Sequence, residues 1–326
     1  MQNRLRPKFQ FEKMKKKKFL GETLKEKLLA GVKNRLYNFL LAGDAIRGAI
    51  FHGTRMINEM RANHELGILE TLVLGRAYLG AGLMSADLKS NDRIRLKFDC
   101  SGPLKGLVVE ANAFGEVRGY LKRVPIPINK PLESFDLAPF FGAGFLSVTK
   151  YLEGAKQPFT GKVMLKYGNI AKDLANYYLT SEQIPTAFNL GIKFDPEGRV
   201  IGAGGLLLQA MPHAGDALAS NLEEKVINLP SLGEVFSKNK EPKTVIGECF
   251  KAYSPRFLAN RRIEFMCHCN HDRIRSLLTL LPIHELQDIR DNGPFPMQIR
   301  CHYCNTQYRF MREDIRKIYG KRFPNN

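Results

Sequence analysis

The chain contains no tryptophan, so its aromatic bulk rests on 21 Phe and 11 Tyr. No stretch approaches the ~20 consecutive apolar residues of a membrane-spanning helix, and no membrane role is expected. No apolar run follows the charged N-terminus in the manner of a secretory leader, so a cytoplasmic location is expected. No segment recurs at the periods of roughly 20–50 residues that mark solenoids and propellers. GxGxxG and GxxxxGK[ST] are both missing, which removes the usual phosphate loops. No Ser/His/Asp constellation and no carboxylate pair is recognisable, so the chain does not read as an enzyme.

What is present is a globular chain. Its 326 residues are 44% hydrophobic and 25% charged, close to soluble averages and enough for two or three small domains. The net charge of +18 is unevenly placed. Residues 1–35 carry 12 Lys and Arg against 3 Asp and Glu, residues 36–250 carry 24 against 22, and residues 251–326 carry 14 against 7. A nearly neutral body therefore has two basic ends. Residues 1–33 are expected to form a basic, disordered extension, because like charges such as Lys15 to Lys18 repel and stay solvated. Met14 opens a stretch that itself reads as a bacterial start, so residues 1–13 are expected to be an upstream extension or an over-called start. Basic ends also suit nucleic acid or another anionic surface.

Side-chain alternation marks the clearest strand. Ile94, Leu96, Phe98 and Cys100 share one face; Arg93, Arg95, Lys97 and Asp99 share the other. Turns at 101–103 and 112–115 lead to strands at 107–111 and 117–121, an antiparallel meander. A strand or short hairpin is expected over 36–51, further strands at 145–152 and 162–167, and a hairpin joining 186–194 to 200–211. Thr54 is a candidate cap for a helix running toward Asn63. Residues 65–87 read as a buried helix with small residues on one side. A further helix starts at Asn169, with Ile170, Leu174, Tyr177 and Tyr178 at helical spacing. Gly202, Gly204 and Gly205 lie in strand-like sequence and read as close backbone packing or a bulge. The expected fold class is α+β. Residues 34–213 form an N-terminal domain with a twisted, mainly antiparallel sheet packed by helices. Residues 214–262 form a helical linker with pieces at 222–229, 232–236 and 245–250, and no dense core of their own. Residues 263–326 form a small cysteine-bearing module.

Four of the six cysteines fall in that module, as Cys267-x-Cys269, 31 intervening residues, and Cys301-x-x-Cys304. Two close pairs can offer four thiolates to one tetrahedral ion, and Zn2+ is the natural candidate. His268, His271 and His302 are alternative ligands, but His268 and His302 sit inside a pair, where neighbouring side chains diverge. An all-Cys set is therefore preferred. Between the pairs, Ile274, Leu277, Leu278 and Leu281 are expected to share one apolar helix face, with a second helix at 283–289. So small a core is marginal, and metal binding would decide whether the module folds. The pairs also carry redox meaning. CxxC thiols readily form a disulfide; CxC permits only a tight one, and strained disulfides are the labile kind. Arg300, Arg261, Arg262 and Arg273 lie nearby in sequence and would favour thiolate. Cys100 and Cys249 are lone and read as buried structural residues. A purely structural ribbon more often carries two CxxC pairs, so the unequal spacing argues for a switch.

The arrangement resembles the heat-shock-protein-33 family of redox-regulated chaperones. The likeness extends beyond the cysteines to Ser101-Gly102-Pro103-Leu104, Gly115-Glu116-Val117-Arg118-Gly119-Tyr120, the run from Lys172 to Thr186, and Ala203 to Gln209 followed by Met211-Pro212. It spans about residues 34–320. The resemblance implies a holdase without an ATP site. It implies one Zn2+ per chain on Cys267, Cys269, Cys301 and Cys304 in the reduced, inactive state. Under oxidative stress it implies disulfides Cys267–Cys269 and Cys301–Cys304, loss of zinc, unfolding of the linker, capture of unfolding client proteins, and a homodimer. Leu222, Val226, Leu229, Leu232 and Phe236, or the sheet they cover, would meet the clients. The chain departs from the acidic character of familiar members.

Two other functions compete. A zinc-dependent RNA- or ribosome-binding protein would use the basic ends and bind in a salt-sensitive way while reduced. A thiol oxidoreductase would need a βαβ context around CxxC, which is missing.

Overall fold

The computed structural model describes Lys17, residues 34–128 and residues 136–322. The expectations for residues 1–33 lie, Lys17 apart, outside the described residues. The chain divides into two compact units, and the boundary falls between Phe265 and Met266.

The larger unit begins with strands β1 (Arg35–Leu41) and β2 (Ile46–His52) and helices α1 (Thr54–His64) and α2 (Ile68–Met84). There follow β3 (Arg93–Cys100), β4 (Gly106–Asn112), β5 (Glu116–Leu121), α3 (Ala138–Phe141), β6 (Gly144–Tyr151), β7 (Phe159–Met164) and α4 (Ile170–Tyr177). The unit closes with β8 (Thr186–Phe194), β9 (Val200–Ala210), α5 (Asp216–Ile227), α6 (Leu232–Ser237), α7 (Pro242–Cys249), β10 (Arg256–Arg262) and β11 (Glu264–Phe265). One sheet has the order β10-β1-β2-β9-β8, the other β11-β5-β4-β3-β6-β7. Every pairing is antiparallel except β11 with β5. The α+β expectation holds.

Helix α2 is the axis of this unit. It is apolar almost all round and packs against strands of both sheets, which is why no narrow stripe appears in its sequence. Its small residues permit that approach: a Cβ on Gly75 would lie 2.6 Å from Ile192 Cδ1, and one on Gly80 2.6 Å from Leu174 Cδ1. Thr54 does not cap α1. Gly53 occupies the cap, and Thr54 Oγ1 instead accepts the Ala203 N–H at 2.9 Å, tying the helix to β9. Asn169 does cap α4, accepting the Lys172 N–H at 3.2 Å. The strand expected at 162–167 starts and ends earlier. The N–H groups of Lys166, Tyr167 and Asn169 leave the sheet and donate to the buried Asp173 carboxylate at 2.9, 3.0 and 2.9 Å. A buried carboxylate with three such donors fixes the entry to α4.

Residues 214–262 are more than a tether. Leu222, Val226, Leu232, Phe236, Val245, Ile246 and Phe250 are buried in one cluster with Phe39, Ile46, Ile50, Leu206 and Leu208 of β1, β2 and β9. Helix α6 sits at backbone contact. A Cβ on Gly202 would run into the Gly233 carbonyl oxygen and lie 2.5 Å from the Ser237 nitrogen, and one on Gly233 would lie 2.6 Å from the Ile192 carbonyl carbon. The glycines of β9 thus serve close packing. Phe236 stacks on His52 with ring centroids 4.4 Å apart.

The smaller unit holds α8 (His271–Leu278), α9 (Ile283–Asn292), the hairpin β12 (Met297–Arg300) and β13 (Gln307–Phe310), and α10 (Arg312–Arg322). Its core joins Ile274, Leu278 and Leu286 to Phe310, Ile315, Ile318 and Tyr319. Leu277, expected on the apolar face, is 59% exposed. The helix buries the i, i+4 pair Ile274 and Leu278 and turns Leu277 outward.

Candidate metal and redox centre

Local chain geometry brings the two cysteine pairs together. Cys267 and Cys269 lie on an extended run that stops at Asn270, whose Oδ1 accepts the Arg273 N–H at 2.7 Å and caps α8. Cys301 and Cys304 sit in the turn between β12 and β13. That turn is closed by the Cys301 N–H on Thr306 O at 2.9 Å and the Asn305 N–H on Cys301 O at 2.7 Å. Asn305 takes the left-handed conformation, φ 58°, that such a turn needs and asparagine tolerates.

The four sulfurs all lie within 4.8 Å of one another. Cys267 Sγ is 3.9 Å from Cys301 Sγ, and Cys269 Sγ is 3.2 Å from Cys304 Sγ. Zn–S bonds of about 2.3 Å in a tetrahedron imply S···S edges of about 3.8 Å. The group therefore has the ligand number, softness and scale that a four-thiolate metal site requires. Cys267, Cys269 and Cys304 are buried and Cys301 is half-buried.

No imidazole nitrogen belongs to this group among the described residues. His271 packs instead: its ring stacks on Phe310 at 4.2 Å, and its Nε2 is 3.2 Å from Arg309 O. Cys100 and Cys249 are half-buried, stand outside the group, and have thiols pushed up by burial.

The thiols act chiefly on one another. Hydrogen bonds from Cys269, Cys301 and Cys304 hold Cys267 far below its ordinary range. Hydrogen bonds with Cys267 and Cys301 push Cys269 up, and those with Cys267, Cys269 and Cys301 push Cys304 up. For Cys301 the bond with Cys267 acts upward, but bonds with Cys269 and Cys304 outweigh it and the net shift is downward. The arginines expected to favour thiolate are engaged elsewhere. Arg261 donates to Ala113 O and Ser85 Oγ, both at 2.9 Å, and Arg262 pairs with Glu264 at 3.1 Å. Arg273 donates to His268 O at 2.9 Å, and Arg300 reaches Asn305 Oδ1 at 3.4 Å.

Two side chains that sequence reading did not single out touch the sulfurs. Tyr308 Oη donates to Cys269 Sγ at 3.0 Å, and the Cys304 thiol donates to Thr306 Oγ1 at 3.2 Å. Thr306 lies just before β13 and Tyr308 within it, two positions apart on the chain that leaves the CxxC turn, a spacing that suits one face.

Comparison with known proteins gives a consistent result. The model of the family described as "Hsp33 protein" matches residues 34–311. The 33 kDa chaperonin of Desulforamulus reducens is 35% identical over 267 residues, covering 81% of this chain and 90% of its own length. That of Thermotoga maritima is 35% identical over 276 residues, covering 84% and 93%. The crystal structure of the Thermotoga maritima 33 kDa chaperonin superposes with a TM-score of 0.81 at 31% identity, covering 90% of this chain and 100% of that one. No helix among the described residues is long and apolar enough to cross a membrane.

Proposed function

Because this chain belongs to the Hsp33 family, we propose that it is a redox-regulated, ATP-independent holdase whose switch is Cys267, Cys269, Cys301 and Cys304. The observation that carries this reading is the convergence of two unlike cysteine pairs into one four-sulfur group. In the reduced protein these residues hold one Zn2+ per chain. Bound zinc supplies a closed structural site that keeps the sulfurs as thiolates and joins the run before α8 to the β12–β13 turn.

Oxidation acts on the cysteines. A thiolate attacks a peroxide oxygen; an S–O bond forms and the O–O bond breaks, releasing hydroxide that takes up a proton. The neighbouring thiol attacks the resulting sulfenic sulfur; an S–S bond forms and water leaves. Each pair gives up two electrons, and one peroxide becomes two waters. Following the family resemblance, the products are Cys267–Cys269 and Cys301–Cys304. Disulfide sulfurs are poor metal ligands, so the link between the two chain segments is lost. The small core around Phe310 and Leu286 is then left to hold three helices and a hairpin.

Unfolding that spreads along the chain into residues 214–262 removes α5, α6 and α7 from the sheet. Phe39, Ile50, Leu206 and Leu208, together with Leu222, Val226, Leu229, Leu232 and Phe236, then become apolar surface for unfolding clients, and for a second copy in an oxidised homodimer. The logic is linkage: ligation favours the covered state, and oxidation withdraws that preference.

The test is zinc content and light-scattering chaperone activity on one sample, before and after peroxide at mild heat. One zinc per chain, released as aggregation suppression appears, is expected. Zinc retained without activity contradicts the switch and transfers attention to salt-sensitive nucleic-acid binding by the basic ends.

A further inference from the structure

Tyr308 stands where it can set how fast one pair oxidises. It lies on β13, opposite Ile299 of β12 in the hairpin that carries Cys301 and Cys304. Its hydroxyl crosses to the other pair and donates to Cys269 Sγ at 3.0 Å. The ring is held in place, with His271 meeting it edge-on at 6.4 Å and 63°. Cys269 is itself only 8% exposed, so water competes little for the same lone pair.

We propose that Tyr308 is a positioning residue that brakes oxidation of the Cys267–Cys269 pair by engaging a Cys269 lone pair in a hydrogen bond. Cys269 must donate an electron pair whichever role it plays. As attacker it forms the S–O bond with peroxide; as resolver it forms the S–S bond to a sulfenic Cys267 while hydroxide departs and is protonated. A donated O–H lowers the availability of that electron pair in both steps. Outer partners of metal-ligating groups act in the same sense, fixing the ligand's orientation and tuning its reactivity. The role in disulfide formation rests on the holdase reading above; the effect on Cys269 reactivity does not.

Tyr308→Phe keeps the ring against His271 and removes only the hydroxyl. In reduced, zinc-loaded full-length protein, where the unit is folded and its sulfurs are thiolates, the probe is iodoacetamide, with the alkylation rate of each cysteine read by mass spectrometry. Cys269 is expected to react about tenfold faster in the variant, the scale of one hydrogen bond to a charged group, while Cys301 changes little. General loosening of the unit would also speed alkylation of Cys267 and Cys304, which are buried like Cys269, so a rise confined to Cys269 is what distinguishes loss of the hydrogen bond. Under peroxide the Cys267–Cys269 disulfide should form correspondingly sooner relative to Cys301–Cys304. An unchanged Cys269-to-Cys301 alkylation ratio overturns the proposal. If the ratio rises but no Cys267–Cys269 disulfide ever forms in either protein, the Tyr308 effect stands and the disulfide pairing of the proposed function fails.

Discussion

Cys304→Ser is expected to strip the smaller unit of both its metal and its fold. Cys304 is fully buried, with its sulfur 3.2 Å from Cys269 Sγ and 3.2 Å from Thr306 Oγ1. A serine hydroxyl stays protonated at neutral pH and is a hard, weak ligand, so the set falls from four thiolates to three. Structural zinc sites contribute on the order of 10–16 kcal/mol to the folding of small zinc peptides, whereas most point substitutions cost about 1 kcal/mol. Metal analysis after dialysis against a mild chelator should fall from one zinc per chain toward none. Circular dichroism should lose the helicity of α8, α9 and α10. The matching change at Cys100, which lies outside the sulfur group, should leave both readings near wild type. A Cys304→Ser protein that keeps one zinc and an ordered smaller unit would contradict the role given to these sulfurs.

Gly202→Val is expected to turn the chaperone on without oxidation. β9 is an inner strand between β2 and β8 and cannot yield. A side chain on Gly202 would meet the backbone of α6 at Gly233 and Ser237, and backbone cannot rotate away as a side chain can. The helix must therefore move, carrying Leu232 and Phe236 out of a cluster in which each is 1% exposed. Burial of each contributes about 2–3 kcal/mol, so a helix of six residues does not remain docked without them. The reduced, zinc-loaded variant should suppress aggregation about as well as oxidised wild type. Gly215→Ala, where an added Cβ meets nothing within 4 Å, should stay silent. Constitutive activity with zinc still bound separates the cover from the sensor; a Gly202→Val protein that is folded but inactive until oxidised would show that α6 does not cover the client surface.

Much of this was legible in the sequence, and the gaps have physical reasons. β3 was plain because one of its faces is buried and the other wet, so its side chains alternate. α2 was recognisable by its length and small residues, since a helix held between two sheets has no polar face. The cysteine spacing announced a four-sulfur group without geometry. β10 was missed: it is an edge strand whose residues 256–262 are mostly exposed, so no apolar alternation marks it, and backbone pairing with β1 together with the Arg261 hydrogen bonds holds it. The packing of residues 214–262 was underestimated because α6 and α7 are only six and eight residues long, too short for an apolar repeat over several turns, and the fit of α6 depends on glycines of the facing strands. Tyr308 was missed because its role depends on reaching across to Cys269, which lies 39 positions away in the chain.

Oxidation of the four cysteines in one unit is expected to uncover an apolar sheet in the other. Amide hydrogen exchange of the full chain, reduced and after peroxide at mild heat, tests it most directly. Peptides from residues 271–322 and 216–250 should lose protection together, while those from α2 and from β3 to β6 keep it. Aggregation suppression that appears while α5, α6 and α7 remain as protected as in the reduced protein would contradict that expectation.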